Sequence, residues 1–588
     1  NDFTVTGVAT HDQMLDSPTF SETDGNGGNF CTINPLSDAP DMVYSEGNLT
    51  WTTSSNIRGG ICNFALPIGT DQKWYWEYRQ ASWAGSESDD LYIGINKGSD
   101  QNIGWTANRG GNTTSESYGA QGYKNTLGTE TTSYGAQIDT GDVWGIAVDR
   151  ENDTIQFYKE GSAQGAAWSI SGTTEMFPWY GTGGGTSSAS GTFNFGQNGT
   201  FNGTETAGGN ADENGYGNFF SSVPSGFLAL CAANLPTVAE VDPAQTDDDY
   251  PQKLFSPTLY TGSGGTQTIS GVGSQPDFTW IKNRGATGDN VFMDTTRGAY
   301  ATNDYYYLRS PDAGAQGHTT DFHNFASDGF IVGGTGTYFN ASGNTFVSWN
   351  WRANGGTTSS NTEGSVTSTV QADPSGSFSI VKYTGISGSS GTATIGHGLS
   401  RTPDYLIHKS SNRAGGQWTT SSSLTTGYFM DMHGTGVPSD LNSYGTIAVS
   451  TDAVFTINGV DGIGGESGEY ITYAFANTEG YIKSGSYVGN GTTDNAFIYT
   501  GFKPAFIMIK GIASGAGWNL HDNATSPYNV ASTALQANTS GAELSNYNID
   551  IVSNGFKVRD ADGDLGTSGN TYIYLAIASN PFQYATAR

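Results

Sequence analysis

The chain has 588 residues, 84 of them glycine and only 13% charged, and its 55 acidic against 24 basic side chains leave a formal net charge of −31. That length calls for several domains, and a surface of that sign is set against phosphate backbones and anionic lipid, which excludes nucleic-acid partners and membrane insertion from the expected roles. The 31 tyrosines, 29 phenylalanines and 13 tryptophans supply enough bulk to fill cores, so the low charge does not signal disorder.

No window holds apolar residues at i, i+3, i+4 and i+7, while short alternating runs bounded by glycine recur throughout, so the expected class is all-β with less than about a tenth helix. No stretch reaches the roughly 18 apolar residues of a membrane-spanning helix. In chain order, "KWYWEY" at 73–78 and "LYIGI" at 91–95 read as strands. "GDVWGIAVDRENDTIQFYKEG" at 141–161 reads as a hairpin, and "MFPWYG" at 176–181 and "GTFNFGQ" at 191–197 as further strands. Glu77, on the first of these, is expected to face solvent, and Asp149 to sit in the hairpin turn; neither reads as catalytic. Cys31, Cys62 and Cys231 are an odd number without CxxC spacing, which predicts small buried hydrophobes and no zinc site.

This order of pieces resembles the SPRY domain, a bent β-sandwich related to the concanavalin-like lectin fold, over residues 45–232. The resemblance implies a ligand surface built by loops at one edge of the sandwich. Trp105 in "GWTANRGG" is then the surface candidate, while Trp179 in "FPWYG" belongs to the core. Residues 1–234 are accordingly assigned to a SPRY-like sandwich with its lead-in, and 235–252, which includes "EVDPAQTDDDYPQ", to an acidic linker.

Beyond that linker one pattern occurs three times. "PDFTWIKNR" from Pro276, "PDYLIHKS" from Pro403 and "PAFIMIKG" from Pro504 are each followed by a strand-like run opening at Gly343, Gly468 and Gly569, that is 67, 65 and 65 residues on. Within the first, Phe278, Trp280 and Lys282 face one way and Thr279, Ile281 and Asn283 the other. Three tandem β-sandwich-like modules are expected at 253–354, 378–478 and 479–588. The polar stretch 355–377 reads as a flexible or semi-extended connector.

Seven histidines form no HExxH or related pattern, and neither a GxSxG elbow nor a GxxxxGK[ST] loop occurs, so no catalytic residue and no cofactor is assigned. Asp560, Asp562 and Asp564 stand at positions 1, 3 and 5 of a calcium loop, but Leu565 replaces its glycine and Thr571 its closing glutamate; an acidic turn is expected there, with these three as the weak metal candidate. In "NDYYYLRSP", Tyr305, Tyr306 and Tyr307 follow one another, so at least one faces away from the buried side and can stack on a sugar ring or a neighbouring module.

"NDFTVTGV", "MLDSPTF", "NFCTINPL" and "NLTWTTSS", together with the "KWYWEY" strand, are similar to the SPRY-containing segment of large virion proteins of tailed bacteriophages. That resemblance implies an upstream lectin-like domain before Asn1 and a non-enzymatic structural or adhesion protein at the virion surface, in a tail fibre or related appendage. Its implied partners are other virion proteins, further copies of itself, a trimer being favoured, and a host glycan or surface protein. The alternatives are a capsid decoration or head-fibre protein, a bacterial surface adhesin, and a carbohydrate-active enzyme.

Overall fold

The computed structural model describes residues 27–36, 42–54, 58–67, 72–85, 91–98, 114–170, 175–182, 186–236, 251–386, 391–413, 419–421, 428–440, 450–458, 465, 468–513 and 515–581. Among them the protein is all-β, with helix confined to single turns at Ala232–Asn234 and Pro251–Leu254. Two compact units divide the chain: Asn1–Pro236 with Phe497–Gly501 and Phe582–Arg588, and Thr237–Ala496 with Phe502–Pro581.

In the first unit one sheet runs Met42–Ser45, Thr50–Thr53, Thr186–Asn194, Lys73–Gly85, Val143–Asp149, Thr154–Lys159, Ser162–Ser169, and a second runs Arg58–Ile61, Met176–Thr182, Leu91–Lys97, Ser115–Gly119, Tyr123–Thr126, Thr129–Thr131. The two share one aromatic core. Trp51 stacks on Tyr180 at 4.8 Å between ring centroids and Trp144 lies 4.7 Å from Tyr118, so each contact joins one sheet to the other. Trp179 is fully buried, as expected of a core residue, and so are Cys31, Cys62 and Cys231.

The second unit contains the three repeated segments, and their strands pair in one register. Phe278 faces Trp351, Trp280 faces Trp349 and Lys282 faces Val347. Tyr405, Ile407 and Lys409 face Phe475, Tyr473 and Ile471, and Phe506, Met508 and Lys510 face Ile577, Leu575 and Ile573. Each segment's main sheet shares one run of four neighbours: opening strand, closing strand, the strand at the proline motif and the strand that follows it in the chain. The side chains between these positions, such as Ile281, fill the segment's own core with Ile269, Phe322 and Phe330.

The positions carrying Phe278 and Trp280 serve a different core, shared by all three segments. Phe278 of the first stacks on Tyr473 of the second at 4.1 Å, and Phe506 of the third packs 5.4 Å from Trp349 and 5.8 Å from Trp351 of the first. Polar contacts close the arrangement head to tail. In the first segment Asn290 Nδ2 donates to the carbonyls of Gln536 (3.0 Å) and Thr539 (3.1 Å) of the third. Trp518 Nε1 of the third donates to Asp431 O of the second at 3.0 Å, and Lys409 Nζ of the second donates to Ala313 O of the first at 2.9 Å. In each of these three contacts a donor on the motif strand, or on or beside its neighbour, meets the strand two places on, or the chain leaving it, in the next segment, a heterologous contact that closes after three steps. The repeats form a ring within one chain.

The stretch 355–377, expected to be a connector, is a correction. Ser359–Asn361 and Ser368–Ala372 are strands that extend the second segment's sheet, with Val370 buried in its core. The β-branched alternation of "SVTSTVQA" carries that pairing despite the glycine and serine around it.

Lys282, Lys409 and Lys510 occupy one equivalent position in the ring, and each is fully buried. Lys282 Nζ donates to Gly288 O at 2.6 Å and Lys510 Nζ to Gly511 O at 2.7 Å. Burial penalises the ammonium form and lowers each pKa from 10.5 to about 8. Between those values the unfolded chain holds more protons than the folded one, so the unit's stability rises with pH from about 8 towards 10.5, and the full cost of the buried charges is in place below about 8. Urea unfolding at pH 8 and pH 9.5 is expected to show a gain on the order of 1 kcal/mol per lysine, with Lys282→Met reducing the gain.

Candidate functional site

A cleft of about 580 Å³ opens on the first segment, lined by Thr287, Gly288 and Asp289, by Tyr307, by Thr319 and Asp321, by Gly336 to Phe339, and by Ser540 of the third segment. Local hydrogen bonding places each wall. Asn283 Oδ1 accepts the backbone N–H groups of Gly285 and Ala286 and turns the chain towards Thr287, while Asn283 Nδ2 holds the carbonyl of Thr337 at 2.9 Å. Gly288 N donates to Ser540 O at 2.8 Å, so closure of the ring brings in the rim. Arg284 pairs with Glu543 beside it.

The two cleft carboxylates differ in their surroundings. Asp289 is met by Arg309 Nη1 at 3.1 Å. Asp321 is half-buried, and its carboxylate receives no hydrogen bond from any described residue, although its own N–H donates to Thr319 Oγ1 at 3.0 Å. Its oxygens rest against Gly334 and Gly336, where a methyl group would collide with them. Hydroxyls, main-chain groups and two tyrosines therefore surround one bare carboxylate, an arrangement suited to holding a small polyhydroxylated ligand and orienting it.

The three consecutive tyrosines separate along the strand Asp304–Arg309. Tyr307 enters the cleft and packs edge-on to Phe339. Tyr305 turns to the segment core against Phe322 and Phe325, with its hydroxyl on Asn324. Tyr306 lies edge-on to Tyr300, which is 55% exposed and stacks at 3.9 Å on His318. Trp105 lies outside the described residues. The cleft residues that sequence reasoning missed, Asp289, Asp321, Tyr338 and Ser540, lie in four separate stretches with no common motif.

Glu77 corrects a second expectation. It is fully buried, because residues 194–221 cover the outward face of its strand. Its carboxylate accepts Phe220 N at 2.9 Å, Ser221 N at 2.7 Å, Asn194 Nδ2 at 2.9 Å and the Tyr75 hydroxyl at 3.2 Å. Burial raises its pKa to about 7 against the pull of those donors. Its work is structural: it ties the covering chain to the sheet. Asp149, expected in the turn, is instead the last residue of the strand Val143–Asp149, and its carboxylate caps the turn that follows by accepting Glu151 N and Asn152 N.

In the 559–570 loop Asp564 accepts Gly517 N at 2.9 Å and the Tyr547 hydroxyl at 3.1 Å, while Asp560 accepts Asp562 N at 2.9 Å. Among the described residues no three His, Cys, Asp or Glu side chains gather where a metal ion could be held.

The two units correspond to two family models. The sandwich of the first unit is a SPRY domain, matched over residues 73–198. Residues 250–581, more than half of the chain and the whole of the three-segment ring, match the model described as Domain of unknown function (DUF7483), and the chain belongs to that family. Among solved structures, the SPRY domain of human HERC1 is similar at 16% identity, covering 27% of this chain and 96% of that one with a TM-score of 0.24. The TRIM65 PSpry domain is similar at 15% identity, covering 28% and 92% with a TM-score of 0.22, and stonustoxin at 16%, covering 28% and 27% with a TM-score of 0.22. No curated protein matches the chain.

Proposed function

We propose that this chain is a non-enzymatic recognition and structural protein at the surface of a tailed-bacteriophage virion, carried in a tail fibre or related appendage that contacts the host envelope. The observation that carries the reading is the cleft: tyrosine faces, hydroxyls and one unengaged carboxylate on a ring whose segments share a core. A rigid ring holds such a shallow site in fixed geometry, and repeated chains on a particle multiply weak contacts into firm attachment. The SPRY sandwich adds an interaction fold, and the net charge of −31 suits an exterior protein. Oligomerisation, with a trimer favoured, uses other surfaces, because the ring closes within one chain.

Competition tests the reading: purified chain added to host cells is expected to slow adsorption of the particles. Antibody-gold labelling that places the chain on the capsid shell, with no effect on adsorption, would replace the appendage by a capsid decoration.

A further inference from the structure

Resting on the recognition reading, we propose that the cleft of the first segment is a subsite for one neutral pyranose ring, held through two adjacent hydroxyls by the Asp321 carboxylate and packed against Tyr307 and Tyr338. The volume of about 580 Å³ lies within the range of small-molecule sites, about 300–1,000 Å³. Its chemistry narrows the occupant. Among the described residues no lysine or arginine lines the cleft, and of its two carboxylates only Asp289 is met by an arginine, so the unmet Asp321 charge sets the site against an anionic sugar or phosphate.

Asp321 supplies the positive argument. The Asp289 charge is already met by Arg309, whereas the Asp321 side chain accepts nothing from the described residues. A half-buried carboxylate has about four acceptor positions, and a vicinal diol offers two donors at the spacing of its two oxygens. Thr287, Thr319, Thr337 and Ser540 surround it with groups that both donate and accept, which suits the remaining hydroxyls of a sugar. The tyrosines provide the apolar surface for the C–H face of the ring. Gly334 and Gly336 keep the carboxylate seated, since a side chain at either would take its place.

The test uses the full chain with saturation-transfer NMR and calorimetry against methyl glycosides of glucose, galactose and mannose, with glucuronate and glucosamine as charged comparisons. At least one neutral glycoside is expected to bind best. Asp321→Asn should weaken it about tenfold or more, the loss of charge-assisted hydrogen bonds, and Tyr338→Ala should weaken it comparably. Gly336→Ala, which displaces the carboxylate and keeps its charge, should reproduce the Asp321→Asn loss, while Tyr306→Ala leaves binding unchanged. No binding of any neutral glycoside, equal binding by Asp321→Asn, or preference for glucuronate or glucosamine overturns the subsite. The same protein on host cells separates the two failures: cell binding without glycoside binding refutes the subsite alone, and no cell binding removes the recognition reading with it.

Discussion

Phe278→Ala is expected to destabilise the three-segment ring by about 3–5 kcal/mol, the range for truncating a buried aromatic whose cavity cannot collapse. Phe278 is fully buried and touches both sides of a seam, 4.9 Å from Trp351 of its own segment and 4.1 Å from Tyr473 of the next. Its removal therefore weakens the first segment and its hold on the second together. Calorimetry should show one transition for the ring, moved to lower temperature, instead of a separate early melting of the first segment. Tyr528→Ala, at a side chain 84% exposed, should change stability by no more than about 0.5 kcal/mol. Independent transitions for the segments would mean that the shared core does not couple them.

The second large effect lies in the SPRY sandwich. Glu77→Ala strands two main-chain N–H groups, at Phe220 and Ser221, and removes an acceptor from Asn194 and Tyr75. At roughly 1–3 kcal/mol for each buried donor left unpaired, the expected loss is about 3–5 kcal/mol. Glu77→Gln keeps the shape and one acceptor and should cost less. The carboxyl also sets a pH dependence. Its folded pKa of about 7 stands above the ordinary 4.5, so the folded form holds more protons between those values and stability falls as pH rises from about 4.5 to about 7. Denaturant midpoints of the sandwich at pH 5 and pH 8 should differ in that direction, and Glu77→Gln should flatten the difference.

The sequence made the repeat visible because a proline and a period-two strand recur in register, and the structure pairs Phe278, Tyr405 and Phe506 with equivalent partners. Ring closure was not legible. The face carrying Phe278 and Trp280 ends in Lys282, and a lysine at that place reads as an exposed strand end unless the seam that buries it is known. Glu77 misled for a similar reason: it alternates with Trp76 and Tyr78, which marks it as facing away from their core, but the polar residues 194–221 give little sign that they will cover it. The cleft was legible only at Tyr307, since Asp289, Asp321, Tyr338 and Ser540 are brought together by loops and by the third segment's approach, neither of which leaves a spacing to read.

The proposed attachment role is read out by the adsorption of particles to host cells pre-incubated with the purified chain. The wild-type chain is expected to slow adsorption in a saturable way, and Asp321→Asn, folded to the same extent, to do so much less. Adsorption at full rate in the presence of saturating wild-type chain would contradict it.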